Sequence, residues 1–75
     1  MVAYKLRTFE GHVVRFFREK AYGYIRLDAS PREAHFHLRD CEDIGGDMIK
    51  KGDRMRFYLS QGARGLDAIR CSKVE

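Results

Sequence analysis

Cysteine is scarce in this chain. Cys41 and Cys71 are the two there are, with no CxxC pair and no Cys/His set at zinc-site spacing. Such a chain does not read as a secreted disulfide scaffold, so both residues are expected as reduced thiols in a cytoplasmic protein. Proline occurs once, at Pro31, and tryptophan not at all. No apolar run approaches the length of a membrane span, and the opening "MVAYKLRTFE" lacks the apolar core of a signal peptide. There is no internal repeat, low-complexity tract or linker, and no phosphate-binding glycine loop. No cofactor and no membrane partner is implied, and a single domain over residues 1–75 is expected.

What is present is a folded, mildly basic composition. Hydrophobic residues make up 44% and charged residues 35% of 75, with a formal net charge of +4. Alternating patterns argue against disorder. The positive charge favours a polyanion such as nucleic acid, though charge alone is a weak signal. A chain of this length buries a modest share of its surface.

Glycine and charge clusters cut the sequence into short apolar segments. They are "HVVRFF" (12–17), "YGYIRL" (22–27), "AHFHL" (34–38), "RMRFYL" (54–59) and "LDAIRCSKV" (66–74). β-Branched and aromatic residues dominate them, and each is too short for a helix. Five strands with turn signals between them predict an all-β fold, a small antiparallel barrel or sandwich. "YKLRTFE" (4–10) either extends the first strand or precedes it as an arm. Within the polar connection "RDCEDIGGDMIKKGD", Met48 and Ile49 are expected to enter the core, and Gly45 and Gly46 allow no more than a turn of helix.

Successive strand side chains point to opposite faces. Tyr22 and Tyr24 therefore share one face, with Gly23 and Ile25 on the other. His35 and His37 share a face opposite Ala34, Phe36 and Leu38. Met55, Phe57 and Leu59 oppose Arg54, Arg56 and Tyr58. Two neighbouring segments thus aim four flat rings outward.

These residues resemble a cold-shock domain. "GHVVRFFREKAYGYI" (11–25) is similar, without a gap, to that family's opening glycine, Lys-Trp-Phe-Asn block and Lys-Gly-Phe-Gly-Phe-Ile run. "AHFHL" falls on its Val-Phe-Val-His-Phe motif, and "GARG" (62–65) on its glycine-rich turn. The resemblance implies a five-stranded antiparallel OB-fold β-barrel whose second and third strands carry an aromatic platform for single-stranded RNA or DNA. It implies stacking by Tyr22, Tyr24 and His35, with His37 matching the family histidine and Phe16 a family phenylalanine beside the surface. Lys20, Arg32 and Arg64 fall on basic positions at the edge, where they would meet phosphates.

The departures bear on strength. Arg15 stands where the family has tryptophan, His35 where it has phenylalanine, Val14 where it has lysine, and Gly46 where an aromatic is common. A guanidinium plane can stack on bases and also meet phosphate, so Arg15 joins the expected site. Weaker binding per nucleotide and a steeper salt dependence than in relatives follow.

For Phe16 the rival is a place in the core, and Leu38 is grouped with the core beside Phe36. Phe17 falls on an asparagine and has no assigned role. A metal site at His35 and His37 lacks a third ligand, and a small nuclease using either histidine lacks a carboxylate cluster and a cleft. The remaining rival is a protein-interaction module on the same barrel. RNA-chaperone activity, as a monomer without ATP, is what the family implies.

Overall fold

The computed structural model describes residues 7–42, 48–63 and 65–74. They form five strands: β1 (Phe9–Phe17), β2 (Tyr22–Leu27), β3 (Glu33–His37), β4 (Arg54–Gly62) and β5 (Gly65–Lys73). The strands close into a barrel in the order β1-β2-β3-β5-β4, and β1 pairs with β4 to seal it. Pairings are antiparallel except β3 with β5, where His35 stands parallel to Asp67. An odd number of strands cannot alternate all the way round a closed ring, so one parallel pair is obligatory. Here it falls between β3 and the last strand, beside the β2–β3 surface. The expected all-β five-stranded barrel is what forms. Of "YKLRTFE", the strand takes in only the last two residues, and residues 4–6 lie outside the described part.

The inward alternates are those the pattern marks. Val13, Ile25, Ala34, Phe36, Met55, Phe57 and Cys71 are completely buried. Leu38 and Leu59 pack against them while partly exposed. Ile49 joins the buried core, but Met48 does not and is 54% exposed. The reason lies in the backbone: the Met48 carbonyl accepts a hydrogen bond from Lys73 Nζ at 2.8 Å, and the turn that follows is tied to β1. That anchorage turns Ile49 in and leaves Met48 out. The Gly45–Gly46 stretch lies outside the described residues.

Cys41 and Cys71 meet in an isolated parallel bridge, with both thiols free. The Cys71 thiol is held far above its ordinary range, first by hydrogen bonding with Cys41 and then by burial, so it stays protonated.

Where the start of β1 pairs with β4, Arg54 bridges Glu10 and Asp28, and Arg56 also reaches Glu10 at 3.2 Å. The hydrogen bonds from Arg54 hold both carboxyls below their ordinary range. Depressed acid groups stabilise the fold at neutral pH, and this contribution fades as pH falls through the depressed range. Both carboxyls are solvent-exposed, so salt screens the effect.

The β1–β2 connection is a single 3₁₀ turn, Arg18–Lys20, closed by Ala21 at φ 60°. That left-handed conformation costs a non-glycine residue about 1–2 kcal/mol, against about 0.5–1 kcal/mol of extra unfolded-state freedom for glycine. Ala21→Gly is therefore expected to raise stability by up to about 1 kcal/mol, read as a higher thermal midpoint with unchanged oligonucleotide affinity.

Candidate nucleic-acid interface

The register between β2 and β3 sets Tyr24 opposite His35 and Tyr22 opposite His37. His35 sits between both tyrosines, its ring 5.2 Å from Tyr22 at 34° and 5.6 Å from Tyr24 at 74°. The two tyrosines meet edge to face at 6.2 Å. All four side chains are partly exposed. His37 stands slightly apart: its Nδ1 accepts a hydrogen bond from the Arg39 backbone N–H at 3.1 Å and caps the Leu38–Asp40 turn. That leaves Nε2 for a ligand.

β1 adds to this face through a bulge. Val13 pairs with Ile25, but Arg15 pairs with Tyr24, so Val14 is an extra residue in the strand. Strict alternation from buried Val13 would turn Arg15 and Phe17 inward and Phe16 outward. The inserted residue reverses that phase. Arg15 and Phe17 consequently lie on the ring face, opposite Tyr24 and Tyr22. The Arg15 guanidinium covers Tyr24 at 4.9 Å, and Phe17 leans on Tyr22 at 5.3 Å.

Phe16 takes the other side. It lies opposite Gly23 and stacks on buried Phe36 at 5.9 Å and 13°. Gly23 makes this possible, because a Cβ there would collide with the Arg15 carbonyl and press on Phe36 and Phe16. Phe16 is half-buried on the core side. Phe17, which carried no role from sequence, occupies the platform.

A groove of about 770 Å³ runs from the rings to the β4–β5 turn, lined by Tyr22, Tyr24, Arg32, Glu33, His35 and Asp67 among others. Arg32 stands exposed at its edge, just before β3. Lys20 is exposed in the β1–β2 turn, outside the lining. Arg64 falls outside the described residues; its neighbours Ala63 and Gly65 line the groove.

Besides Phe17, sequence reasoning missed Glu33 and Asp67. Glu33 pairs with Arg15 at 3.0 Å and Arg26 at 3.7 Å, and Asp67 faces His35 Nδ1 at 3.6 Å. Glu33 was legible as the residue before an alternating strand. Asp67 depends on the parallel β3–β5 register, which no local pattern encodes. Freeing Arg15 by Glu33→Gln removes a negative charge from the groove. Binding of a single-stranded oligomer is expected to tighten about fivefold at low salt, with the salt slope steeper by roughly 0.7. Stability should change by no more than about 1 kcal/mol, since the pair is exposed.

Among the described residues no group of three His, Cys, Asp or Glu could hold a metal ion, and no helix is long and apolar enough to cross a membrane.

A closed five-stranded barrel bearing contiguous, partly exposed rings edged by a guanidinium group defines a class of small all-β barrels with an open aromatic sheet face. Comparison with known proteins narrows the class. Residues 9–74 match the model of the 'Cold-shock' DNA-binding domain, and the chain belongs to that family of nucleic-acid-binding domains. It is 28% identical over 64 residues to the major cold shock protein of Micrococcus luteus, covering 85% of this chain and 96% of that protein. It is 31% identical over 58 residues to the cold shock-like protein CspG of Shewanella violacea, covering 77% and 83%. A cold shock protein of Arthrobacter globiformis is 30% identical over 59 residues, covering 79% and 88%.

Proposed function

We propose that this chain is a single-stranded nucleic-acid-binding domain, favouring RNA over DNA and reading little sequence. The observation that carries it is the continuous ring surface of Phe17, Tyr22, His35 and Tyr24 on one exposed sheet. Each base has a π-face, and stacking it on an aromatic side chain is worth about 1–3 kcal/mol. A paired base offers no free face. Tyr22, Tyr24, His35 and His37 take bases, and Arg15, Lys20, Arg32 and Arg64 meet phosphate, which positions the strand without reading it. Phe16 supports this surface from beneath through its stack on Phe36.

Binding open strands and ignoring duplex pulls weak hairpins open by mass action, stabilising the open form by RT ln(1 + [L]/Kd). No ATP is required. The domain acts in this reading as a cytoplasmic monomeric RNA chaperone. Titrating oligo(U), oligo(dT) and a duplex of matched length at low salt tests it. The expected result is quenched tyrosine emission with both single strands, retained duplex signal, and a hairpin melting temperature that falls with protein concentration. No response from either single strand would favour a protein-interaction module on the same barrel.

A further inference from the structure

A second groove, of about 480 Å³, lies across β1 from the first and is separated from it by Arg15 and Phe17. Its wall is made by the β1 segment from Val14 to Phe17, then Arg18, Ile49, Lys50 and Lys51. Four of these eight, Arg15, Arg18, Lys50 and Lys51, are cations, the other four are apolar, and among the described residues no carboxylate lines it. The first groove, by contrast, contains Glu33 and Asp67 beside Arg32.

The lysines stand on a fixed support. Gly52 N–H donates to the Val13 carbonyl at 2.8 Å, and Val13 N–H donates to the Asp53 carbonyl at 2.9 Å. Lys50 N–H donates to Asp53 Oδ2 at 3.0 Å, Lys73 Nζ pairs with the same oxygen at 3.2 Å, and Ile49 is 2% exposed. The side chains of Lys50 and Lys51 are exposed on this turn. Among the described residues, the large hydrophobics left exposed are Phe17, at 43%, and Met48, at 54%. One forms a wall of this groove, and the other directly precedes the turn that forms its far side. Apolar surface next to clustered cations suits a ligand that is both flat-faced and polyanionic.

We propose that this groove is a second subsite for the phosphodiester backbone of the same strand. The strand passes from the Tyr22–His35–Tyr24 platform over Phe17 and seats its phosphates on Arg18, Lys50 and Lys51. Arg15, over Tyr24 on one side and lining the groove on the other, is the hinge of the path. The proposal rests on the single-strand reading of the platform and lengthens it. It makes affinity depend on oligomer length in a way the platform alone does not.

The test compares wild type, Lys50→Gln/Lys51→Gln and Lys50→Arg/Lys51→Arg against labelled oligo(U) of about four and about eight nucleotides, spanning the lower part of the range for such barrels. Anisotropy is read from low to moderate salt, and thermal unfolding confirms that all three proteins fold. For the longer oligomer the glutamine variant is expected to bind roughly tenfold or more weakly at low salt, with the salt slope reduced by about 1.4. For the shorter oligomer it should match wild type, and the arginine variant should match wild type at both lengths. Equal affinity of the glutamine variant and wild type for the longer oligomer would overturn the subsite and leave the platform reading intact. Equal proportional loss at both lengths would also overturn it, as a diffuse charge effect. Failure of wild type to bind either oligomer would instead overturn the platform reading and, with it, the subsite.

Discussion

Replacing Tyr22 and Tyr24 together by alanine is expected to weaken binding of an unstructured pyrimidine oligomer by at least about thirtyfold. Two base stacks at about 1–3 kcal/mol each set the scale, and 1.4 kcal/mol is a factor of ten. The tyrosine rings stand 6.2 Å apart and both touch His35. Contacting residues are not additive, so single variants should cost amounts that do not sum to the double. Both side chains are partly exposed, which limits the stability lost. Anisotropy of a labelled oligomer measures the affinity, and far-ultraviolet circular dichroism with thermal melting confirms the barrel. Affinity within twofold of wild type in a folded double variant would place the bases elsewhere.

The second large effect is on stability. Phe36 is completely buried and carries the Phe16 ring in a near-parallel stack above Gly23. Phe36→Ala is expected to cost about 3–5 kcal/mol, from lost transfer energy and the cavity left behind. A 75-residue domain has roughly 4–11 kcal/mol of stability in all, so this variant should be close to unfolded at physiological temperature. Urea unfolding at low temperature provides the number. The informative comparison is on β1. Phe16→Ala should lower stability, while Phe17→Ala should lower affinity and leave the unfolding midpoint near wild type. The reverse pattern would mean that the bulge at Val14 does not set the phase of the strand.

That bulge also explains what could and could not be read from the sequence. The span of β2 and the outward aim of its tyrosines follow from alternation, since Gly23 and Ile25 cannot share a face with Tyr22 and Tyr24. The same holds for His35 and His37 against Ala34 and Phe36. Alternation fails where the ladder gains a residue, because an extra residue leaves no mark in local hydrophobicity. Phe16 and Phe17 are both plausible on either face until the register Val13–Ile25, Arg15–Tyr24 is known. Asp67 joins the site through barrel closure, a contact between residues 35 and 67 that strand patterns do not encode. Met48 and Ile49 are adjacent and both apolar, and the hydrogen bond from Lys73 to the Met48 carbonyl helps decide which enters. Lys50 and Lys51 read only as part of a polar connection. Their relation to Arg15, Arg18 and Phe17 exists only after β1 and the turn are joined by backbone hydrogen bonds.

The most direct test is an amide chemical-shift map of the protein with a short pyrimidine oligomer. Arg15, Phe17, Tyr22, Tyr24, Arg32, His35 and His37 should move together at one titration midpoint, while Glu10, Asp28, Arg54 and Arg56, clustered where the start of β1 pairs with β4, stay in place. Shifts centred on that cluster, or spread evenly round the barrel, would contradict the ring-bearing face of β1, β2 and β3 as the seat of the strand.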